Sequence, residues 1–346
     1  MLTRIIRTIG VTGIALLLIL SHASETGTQA QSEDVYLALG DSIAAGLLAS
    51  LPTQRGYSWL LQDLMQQQRL AADAPGAVDL INLAEQGETV DSFVQDGQLD
   101  DALDAIGDVQ DGALRTVTLT IGGNDILALW EANAAERQDE LERFATGFDE
   151  IVGTLADALE GQDPDVIVTT YYDVSEGDPE IEGSDSWWLA QFNHVIRETA
   201  EDAGFSVVDL ESIFRGRIGS LTWFPADIHP NNAGHQLIAR EIWQSLGYDQ
   251  DPPEVEITMP DELNVRNRTP TIHAVVQDDV GVDRVVLAVD GEPQKDLTYV
   301  PDRDAWVGVW NGRAYEQNQV ELSVIAADLA GNSSEERVSI ILPPPR

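Results

Sequence analysis

The stretch VYLALGDS, residues 35–42, joins a run of five apolar residues to a turn that contains Gly40, Asp41 and Ser42. A short apolar run bounded by turn residues is typical of a strand buried on both faces of a parallel sheet. A turn that follows such a strand lies at the carboxyl end of the sheet, where open α/β folds bind their ligands. We therefore expect Ser42 to face a crevice, although such a tripeptide taken alone more often caps a helix in an exposed turn.

Short apolar runs and longer amphipathic stretches alternate throughout residues 34–247. Besides Val35–Leu39, strands are predicted at Val78–Leu83, Thr116–Ile121, Val166–Thr170 and Phe205–Val208. Helical spacing predicts helices at Tyr57–Leu70, Leu141–Leu159, Trp187–Ala203 and Ala233–Leu246. This order predicts a parallel sheet covered by helices, with the chemistry placed just after the strands.

Two further turns follow predicted strands and carry groups that can donate hydrogen bonds. Gly87 lies after the second strand, where a glycine lets the backbone approach a ligand closely. Asn124 follows Gly122 and Gly123 after the third strand, so that a tight turn can deliver its amide to the same crevice. Each segment alone is an ordinary turn signal, and only their occurrence together indicates a site.

A histidine is the expected general base for a serine, because its pKa lies near neutral pH and its two nitrogens can serve two partners. Only His229, after the fifth predicted strand, fits this role among the five histidines. His194 and His235 fall within predicted helices, His22 precedes the fold, and His273 lies in the C-terminal segments. We expect His235 to have a packing role.

The four segments together resemble the GDSL/SGNH hydrolases, with Ser42, Gly87, Asn124 and His229 at the four residues that name the family. The resemblance covers about residues 34–247; Ile43 stands where the family has leucine, a volume-conserving change. It implies a three-layer α/β/α sandwich with a five-stranded parallel sheet in flavodoxin-like order. It also implies ester hydrolysis by Ser42 and His229 without a cofactor, with the oxyanion bound by the Ser42 and Gly87 N–H groups and the Asn124 amide.

The acid that orients His229 is less clear from the sequence. The family places it three residues before the histidine, but that position is Ala226, and Asp227 lies two residues before. Side chains at i and i+2 of an extended segment share a face, so Asp227 needs a turn to reach the ring. We expect Asp227 to orient His229, with a backbone carbonyl, such as that of Ala226, as the alternative.

The pattern changes at residues 248–253, which are charged, contain two prolines and predict a linker. Beyond it, residues 254–346 predict an antiparallel β-sandwich, and residues 278–282 and 327–332 resemble turns of bacterial Ig-like domains. A cell surface or a polysaccharide is the partner expected for this domain. The predicted strands are Glu254–Thr258, Thr271–Gln277, Asp283–Val289, Ala305–Val309, Val320–Ala326 and Arg337–Leu342.

The N-terminal residues 1–23 combine two arginines, an apolar run of eleven residues and a small-residue cleavage site. This pattern predicts a secretory signal peptide, since about 20 apolar residues are needed to span a bilayer. Residues 24–33 are polar and predict a linker. We therefore expect a secreted protein without a stable membrane anchor after cleavage.

Composition excludes several classes of function. The chain has no cysteine, so no thiolate can act as nucleophile or metal ligand. The net charge of −41 argues against nucleic acid as a partner. No zinc motif or calcium-loop spacing is apparent, so no metal is expected.

The functions left open are a secreted esterase or lipase, a carbohydrate O-deacetylase, and a catalytically idle protein that binds surfaces through the β domain. The substrate is thus a small-molecule or polysaccharide ester in the two enzyme readings. Aromatic residues that could line an acyl or sugar site are Trp187, Trp188, Trp223 and Phe224, although buried aromatics more often belong to the core.

Overall fold

The computed structural model describes residues 34–71, 76–110, 112–258, 268–315 and 319–344. The predicted signal peptide and linker, residues 1–33, lie outside these ranges. In the described part of the chain, no helix combines the length and the apolar character needed to cross a membrane.

The described residues from 34 to 208 contain a parallel sheet of five strands, as predicted. They are β1 (Asp34–Gly40), β2 (Val78–Asn82), β3 (Leu114–Thr120), β4 (Asp165–Thr169) and β5 (Ser206–Val208). Their order is β2-β1-β3-β4-β5, the flavodoxin-like order that reverses between β1 and β3. β1, β3 and β4 are almost continuously buried, as expected of strands covered by helices on both faces of the sheet.

Ten helices are present among the described residues. They are α1 (Pro52–Arg55), α2 (Tyr57–Ala71), α3 (Val90–Gln95), α4 (Gln98–Asp108), α5 (Gly123–Leu127), α6 (Ala134–Ala158), α7 (Asp185–Asp202), α8 (Leu210–Phe214), α9 (Ile218–Leu221) and α10 (Asn232–Leu246). α2 packs on α10, and α6 packs on α3, α4 and α7. Two such groups fit helices that cover both faces of the sheet.

The four predicted helices are confirmed, but α6 is longer than expected. It begins at Ala134 instead of Leu141, because Asn133 accepts hydrogen bonds from the N–H groups of Ala135 and Glu136, and Glu136 bonds back to the Asn133 N–H. This capping box satisfies N–H groups that have no partner within the helix. α1, α3, α4, α5, α8 and α9 were not predicted, and all of them except α4 have six residues or fewer.

The described residues between 254 and 344 form two four-stranded antiparallel sheets. The strands are β6 (Glu254–Ile257), β7 (Thr271–Gln277), β8 (Val282–Val289), β9 (Glu292–Asp296), β10 (Thr298–Val300), β11 (Ala305–Val309), β12 (Gln319–Asp328) and β13 (Ser333–Ile341). The sheet orders are β10-β11-β7-β6 and β13-β12-β8-β9, around a separate apolar core that includes Leu287 and Leu322. An all-β C-terminal part is therefore present, whereas its Ig-like character stays a prediction.

The C-terminal part also contacts the layer of helices. Val280 and Ala330, from two of its turns, are buried in the core cluster of the α/β part. The Arg240 guanidinium on α10 lies 2.8 Å from the Asp283 carboxylate. The two parts therefore share apolar contacts across the predicted linker.

Candidate active site

The turn that carries Ser42 is fixed by the neighbouring strand and by α4. Gly40 has φ +124°, and a Cβ there would lie 1.9 Å from the Thr120 carbonyl oxygen. The Asp41 N–H donates to the same oxygen at 2.8 Å. The Gln98 side chain accepts from the Gly40 N–H at 2.7 Å and donates to the Gly40 carbonyl at 3.1 Å. Ser42 thus leaves the sheet in a turn that only glycine at position 40 permits.

The structure brings Ser42, His229 and Asp227 into one chain of hydrogen bonds. Ser42 Oγ lies 2.8 Å from His229 Nε2, and His229 Nδ1 lies 2.6 Å from Asp227 Oδ1. Partial burial opposes ionisation of Asp227, but its hydrogen bonds with the His229 backbone and ring outweigh this effect and lower the pKa of the carboxyl. A carboxylate in this position favours the tautomer that leaves Nε2 free to accept a proton from Ser42.

A tight loop supplies the turn that Asp227 needs to reach the ring. The N–H groups of Ala226 and Asp227 both donate to the Trp223 carbonyl, at 2.9 and 3.2 Å. The Trp223 N–H donates to the His229 carbonyl at 3.1 Å, which closes the loop. Asp227 Oδ1 also accepts from the His229 N–H at 2.9 Å. His229 Nδ1 is therefore paired with the Asp227 carboxylate. A backbone carbonyl, the alternative partner considered from the sequence, does not occupy this position.

The predicted oxyanion donors lie around the same turn. Asn124 lines a cavity with Ser42 and His229, and its Nδ2 donates one hydrogen bond to the Glu88 carbonyl at 2.8 Å. Because an amide carries two hydrogens, the second is available to a ligand. Gly87, with φ +86°, immediately precedes Glu88. In the described part of the chain, the backbone N–H groups of Ser42 and Gly87 donate to no protein group.

The two glycines before Asn124 are required by close packing. A Cβ on Gly122 would lie 2.7 Å from the Phe144 ring, and one on Gly123 would lie 2.4 Å from the Tyr171 ring. Gly122 also has φ +119°, which other residues rarely adopt. These contacts let α5 begin directly beneath the site and place Asn124 in its first turn.

Behind Ser42 lies a buried carboxyl to which the sequence analysis assigned no role. Asp41 is 2% exposed, accepts from the Ile43 N–H at 2.9 Å, and lies 2.5 Å from the Tyr171 hydroxyl. Burial, only partly offset by the bond from Tyr171, raises the pKa of Asp41 to about 7. Neither Tyr171 nor Gln98 could be predicted as a support of this turn, since both belong to segments far from residue 42 along the chain.

Stability should therefore depend on pH through Asp41. Its folded pKa of about 7 exceeds the ordinary value of 3.8, so its contribution is fully present below pH 4 and is lost as the pH rises through about 7. Asp41→Asn mimics the protonated form and should match wild type near pH 4. Above pH 7 the variant should be more stable by up to about 4 kcal/mol. Thermal melting of both proteins from pH 4 to 8 checks this, and a constant difference between them would contradict it.

A cavity of about 110 Å³ opens beside Ser42. Most of its walls are apolar: Ile126, Leu127, Leu129, Trp130, Tyr171, Tyr172, Val174, Trp188, Leu189 and Phe192. Of the four aromatic residues proposed from the sequence, Trp188 lines this cavity. Trp223 and Phe224 are instead exposed on the loop before Asp227, and Trp187 packs edge-on against Trp188. Of these four aromatic residues, only Trp188 therefore lines the cavity beside Ser42.

The other described histidines lie away from Ser42. His235 is fully buried, and its Nε2 faces the Leu47 carbonyl at 3.2 Å. Burial lowers the pKa of His235 to about 4, so the ring is neutral at neutral pH. Its contact with the Leu47 carbonyl connects α10 to the loop after β1. His194 lies on the surface beside Glu198, and His273 lies in β7.

Comparison with known proteins places this arrangement in a family. Residues 38–237 match the GDSL-like Lipase/Acylhydrolase family. The uncharacterized protein YpmR of Bacillus subtilis (strain 168) is 26% identical over 242 residues, which are 66% of this chain and 87% of that protein.

Similar solved structures include the acetylxylan esterase Axe2 from Geobacillus stearothermophilus, with 18% identity and a TM-score of 0.48 over 63% of this chain and 97% of that chain. The lipase Lip_vut3 from a goat rumen metagenome has 20% identity and a TM-score of 0.47 over 63% of this chain and 99% of that chain. Since the family match spans more than half of its residues, the chain belongs to the GDSL-like lipase/acylhydrolase family.

Proposed function

We propose that the protein is a secreted serine esterase that hydrolyses carboxylic esters through Ser42, His229 and Asp227. The observation that carries this proposal is the continuous hydrogen-bonded chain from Ser42 Oγ through the His229 ring to Asp227, at 2.8 and 2.6 Å. Family membership supports ester hydrolysis, and the N-terminal sequence supports secretion. An Ig-like C-terminal domain that binds a cell surface or polysaccharide is part of the same proposal and awaits its own test.

In the first half of the reaction, His229 Nε2 takes the proton of Ser42 as Oγ forms a bond to the ester carbonyl carbon. The carbonyl oxygen becomes an anion that the Ser42 and Gly87 N–H groups and the Asn124 amide stabilise. Asp227 stays ionised and stabilises the imidazolium. When the tetrahedral intermediate collapses, the bond to the alcohol oxygen breaks, and the alcohol leaves with the proton from His229.

In the second half, His229 takes a proton from water as the water oxygen attacks the acyl carbon on Ser42. Collapse of the second intermediate breaks the bond to Oγ, which recovers its proton from His229. The acid is released and the enzyme returns to its starting state. These steps use only groups of the chain and the water substrate.

The cavity favours an alkyl acyl group over a sugar. Away from Ser42, Asn124 and His229, its polar wall residues already have partners: Arg137 Nη1 lies 2.7 Å from the Asp185 carboxylate, and Asp173 accepts from the Ser175 hydroxyl at 2.6 Å. A sugar ring needs several free donors and acceptors to replace its water, whereas an alkyl chain needs only apolar contact. We therefore expect the acyl group to enter between Trp188, Leu189 and Leu129.

A panel of nitrophenyl esters from acetate to palmitate, run beside an acetylated polysaccharide, tests this function. The proposal expects kcat/KM to be higher for an acyl chain longer than acetyl, and higher for soluble esters than for the polysaccharide. Faster release of acetate from the polysaccharide would favour the O-deacetylase. Absence of turnover on every ester would favour the idle binding protein.

Asn124→Ala should lower kcat by roughly 10²–10³-fold. The variant loses one oxyanion donor, and this donor stabilises the negative charge that develops only in the transition state. KM should change little. The Asn124 bond to the Glu88 carbonyl is also lost, so melting temperature is measured alongside the kinetics. Asn232→Ala is a matched control, since the Asn232 amide makes exposed hydrogen bonds with Ser50 and does not line the cavity beside Ser42. An unchanged kcat in Asn124→Ala would remove this residue from the oxyanion site.

A further inference from the structure

Three aspartates meet where the α/β part joins the C-terminal part. Asp249 follows α10, Asp278 follows β7, and Asp328 ends β12. Each offers one carboxylate oxygen, and these three oxygens all lie within 4.8 Å of one another. Three separate segments of the chain therefore direct negative charge to one point.

Two of these carboxylates each have one buried oxygen that lacks a hydrogen-bond partner. Asp328 is 0% exposed; its Oδ1 accepts from the N–H groups of Gly331 at 2.6 Å and Asn332 at 2.8 Å, but its Oδ2 is buried and unpartnered. Asp249 shows the same division, with Oδ1 accepting from the Asp251 N–H at 3.2 Å and Oδ2 buried and unpartnered. A buried carboxylate oxygen without a donor is costly, so these atoms indicate a missing ligand.

In the part of the chain that the structure describes, no basic side chain forms an ion pair with these three carboxylates. Arg240 approaches this junction, but it pairs with Asp283 at 2.8 Å. The Asn332 amide donates to the Asp249 backbone carbonyl at 3.2 Å. Each carboxylate accepts backbone N–H bonds, but none of the three forms an ion pair among the described residues, so their mutual repulsion is only partly offset.

We propose that Asp249, Asp278 and Asp328 bind a calcium ion. Oxygen donors alone select hard cations rather than zinc or copper. Calcium holds its oxygen ligands at 2.3–2.6 Å, so two ligands of one ion lie at most about 5 Å apart, as these carboxylate oxygens do. Calcium also accepts the irregular geometry of ligands from three turns, with water completing the shell, whereas magnesium requires a near-ideal octahedron.

The ion would fasten the linker to two turns of the β part. These turns carry Val280 and Ala330, which are buried in the core of the α/β part, and the Ala330 carbonyl accepts a hydrogen bond from Gln244 on α10 at 2.5 Å. Binding at this junction stabilises both parts together, since the ion binds only when linker and turns are in place. The site lies outside the cavity beside Ser42, so its role is structural.

Calcium binding by the full chain, after removal of divalent ions with EDTA and dialysis, is the test. It is measured by titration calorimetry at high ionic strength, which screens non-specific attraction to the net charge of −41. We expect one Ca²⁺ per chain and a rise in Tm of about 5 °C at 100-fold excess over Kd. Magnesium at equal concentration should produce a smaller rise.

Asp328→Asn and Asp278→Asn should each weaken calcium binding at least tenfold and remove the rise in Tm. Without calcium, Asp328→Asn should melt above wild type, because an amide keeps the bonds to Gly331 and Asn332 but removes one repelling charge. Asp279→Asn, at the exposed neighbour in the same turn, is the matched control and should behave as wild type.

Equal calcium binding by wild type, Asp328→Asn and Asp278→Asn would overturn the proposal. A rise in Tm that magnesium reproduces in full would likewise reject a calcium site in favour of general screening or a magnesium site. If Asp328→Asn fails to fold, Asp278→Asn decides by the same two measurements, since Asp278 is only partly buried.

Discussion

Ser42→Ala is expected to lower kcat for ester hydrolysis by about 10⁵–10⁶-fold, the range typical of losing the nucleophile of a serine hydrolase. The Ser42 hydroxyl has His229 Nε2 as its hydrogen-bond partner at 2.8 Å, so its removal takes away the reacting atom and little packing. The backbone N–H at position 42 and the Asn124 amide remain. Substrate binding should therefore persist, and kcat rather than KM should carry the loss.

Ser175→Ala is the matched control, because Ser175 lines the same cavity while its hydroxyl is held by Asp173 at 2.6 Å. Its kcat should stay within about tenfold of wild type, as the hydroxyl takes no part in the transition state. Melting temperature should be nearly unchanged in Ser42→Ala. A Ser42→Ala protein that folds and keeps more than a few per cent of wild-type kcat would place the nucleophile elsewhere.

The parallel sheet could be predicted from sequence because burial on both faces leaves a simple signature. All five strands of the sheet were located within two residues at each end, since each is a short apolar run followed by turn residues. α4 was missed, because its sequence contains several acidic residues and only a narrow buried stripe, such as Leu99, Ala102 and Ile106. α3 was missed because it has only 6 residues, too few to show helical periodicity. β9 was missed for a related reason: all five of its residues are exposed, and its sequence shows no alternation of apolar and polar residues.

The site residues could be proposed from sequence where local turns encode them, and not where distant elements converge. Ser42, Gly87, Asn124 and His229 each follow a predicted strand, so one rule proposed them all. Gln98 and Tyr171 hold the Ser42 turn from other elements, and no spacing in the sequence relates them to residue 42. Asp249, Asp278 and Asp328 were not predicted as a metal site for the same reason, because they lie in three distant segments. A calcium-loop pattern requires its ligands in one short segment.

Asp227→Asn should lower kcat by about 10⁴-fold, the loss seen when an amide replaces the carboxylate of a serine triad. Asp227 Oδ1 accepts from both the His229 N–H and the His229 ring, so an asparagine oxygen can keep the backbone bond and hold the loop in place. The negative charge is lost, however. His229 is then free to adopt the tautomer with a proton on Nε2, which cannot accept one from Ser42, and the imidazolium is no longer stabilised.

The measurement is kcat on the best nitrophenyl ester, with melting temperature recorded for each protein. Asp202→Asn, at the exposed end of α7, is the control for loss of one negative charge and should retain wild-type kcat. Hydrogen bonds with His229 outweigh partial burial and lower the pKa of Asp227, so its carboxylate is ionised throughout the neutral range, and kcat of the two proteins is compared at one neutral pH. A loss below about tenfold would instead indicate that Ser42 and His229 act as a dyad oriented by a main-chain carbonyl, such as that of Ala226.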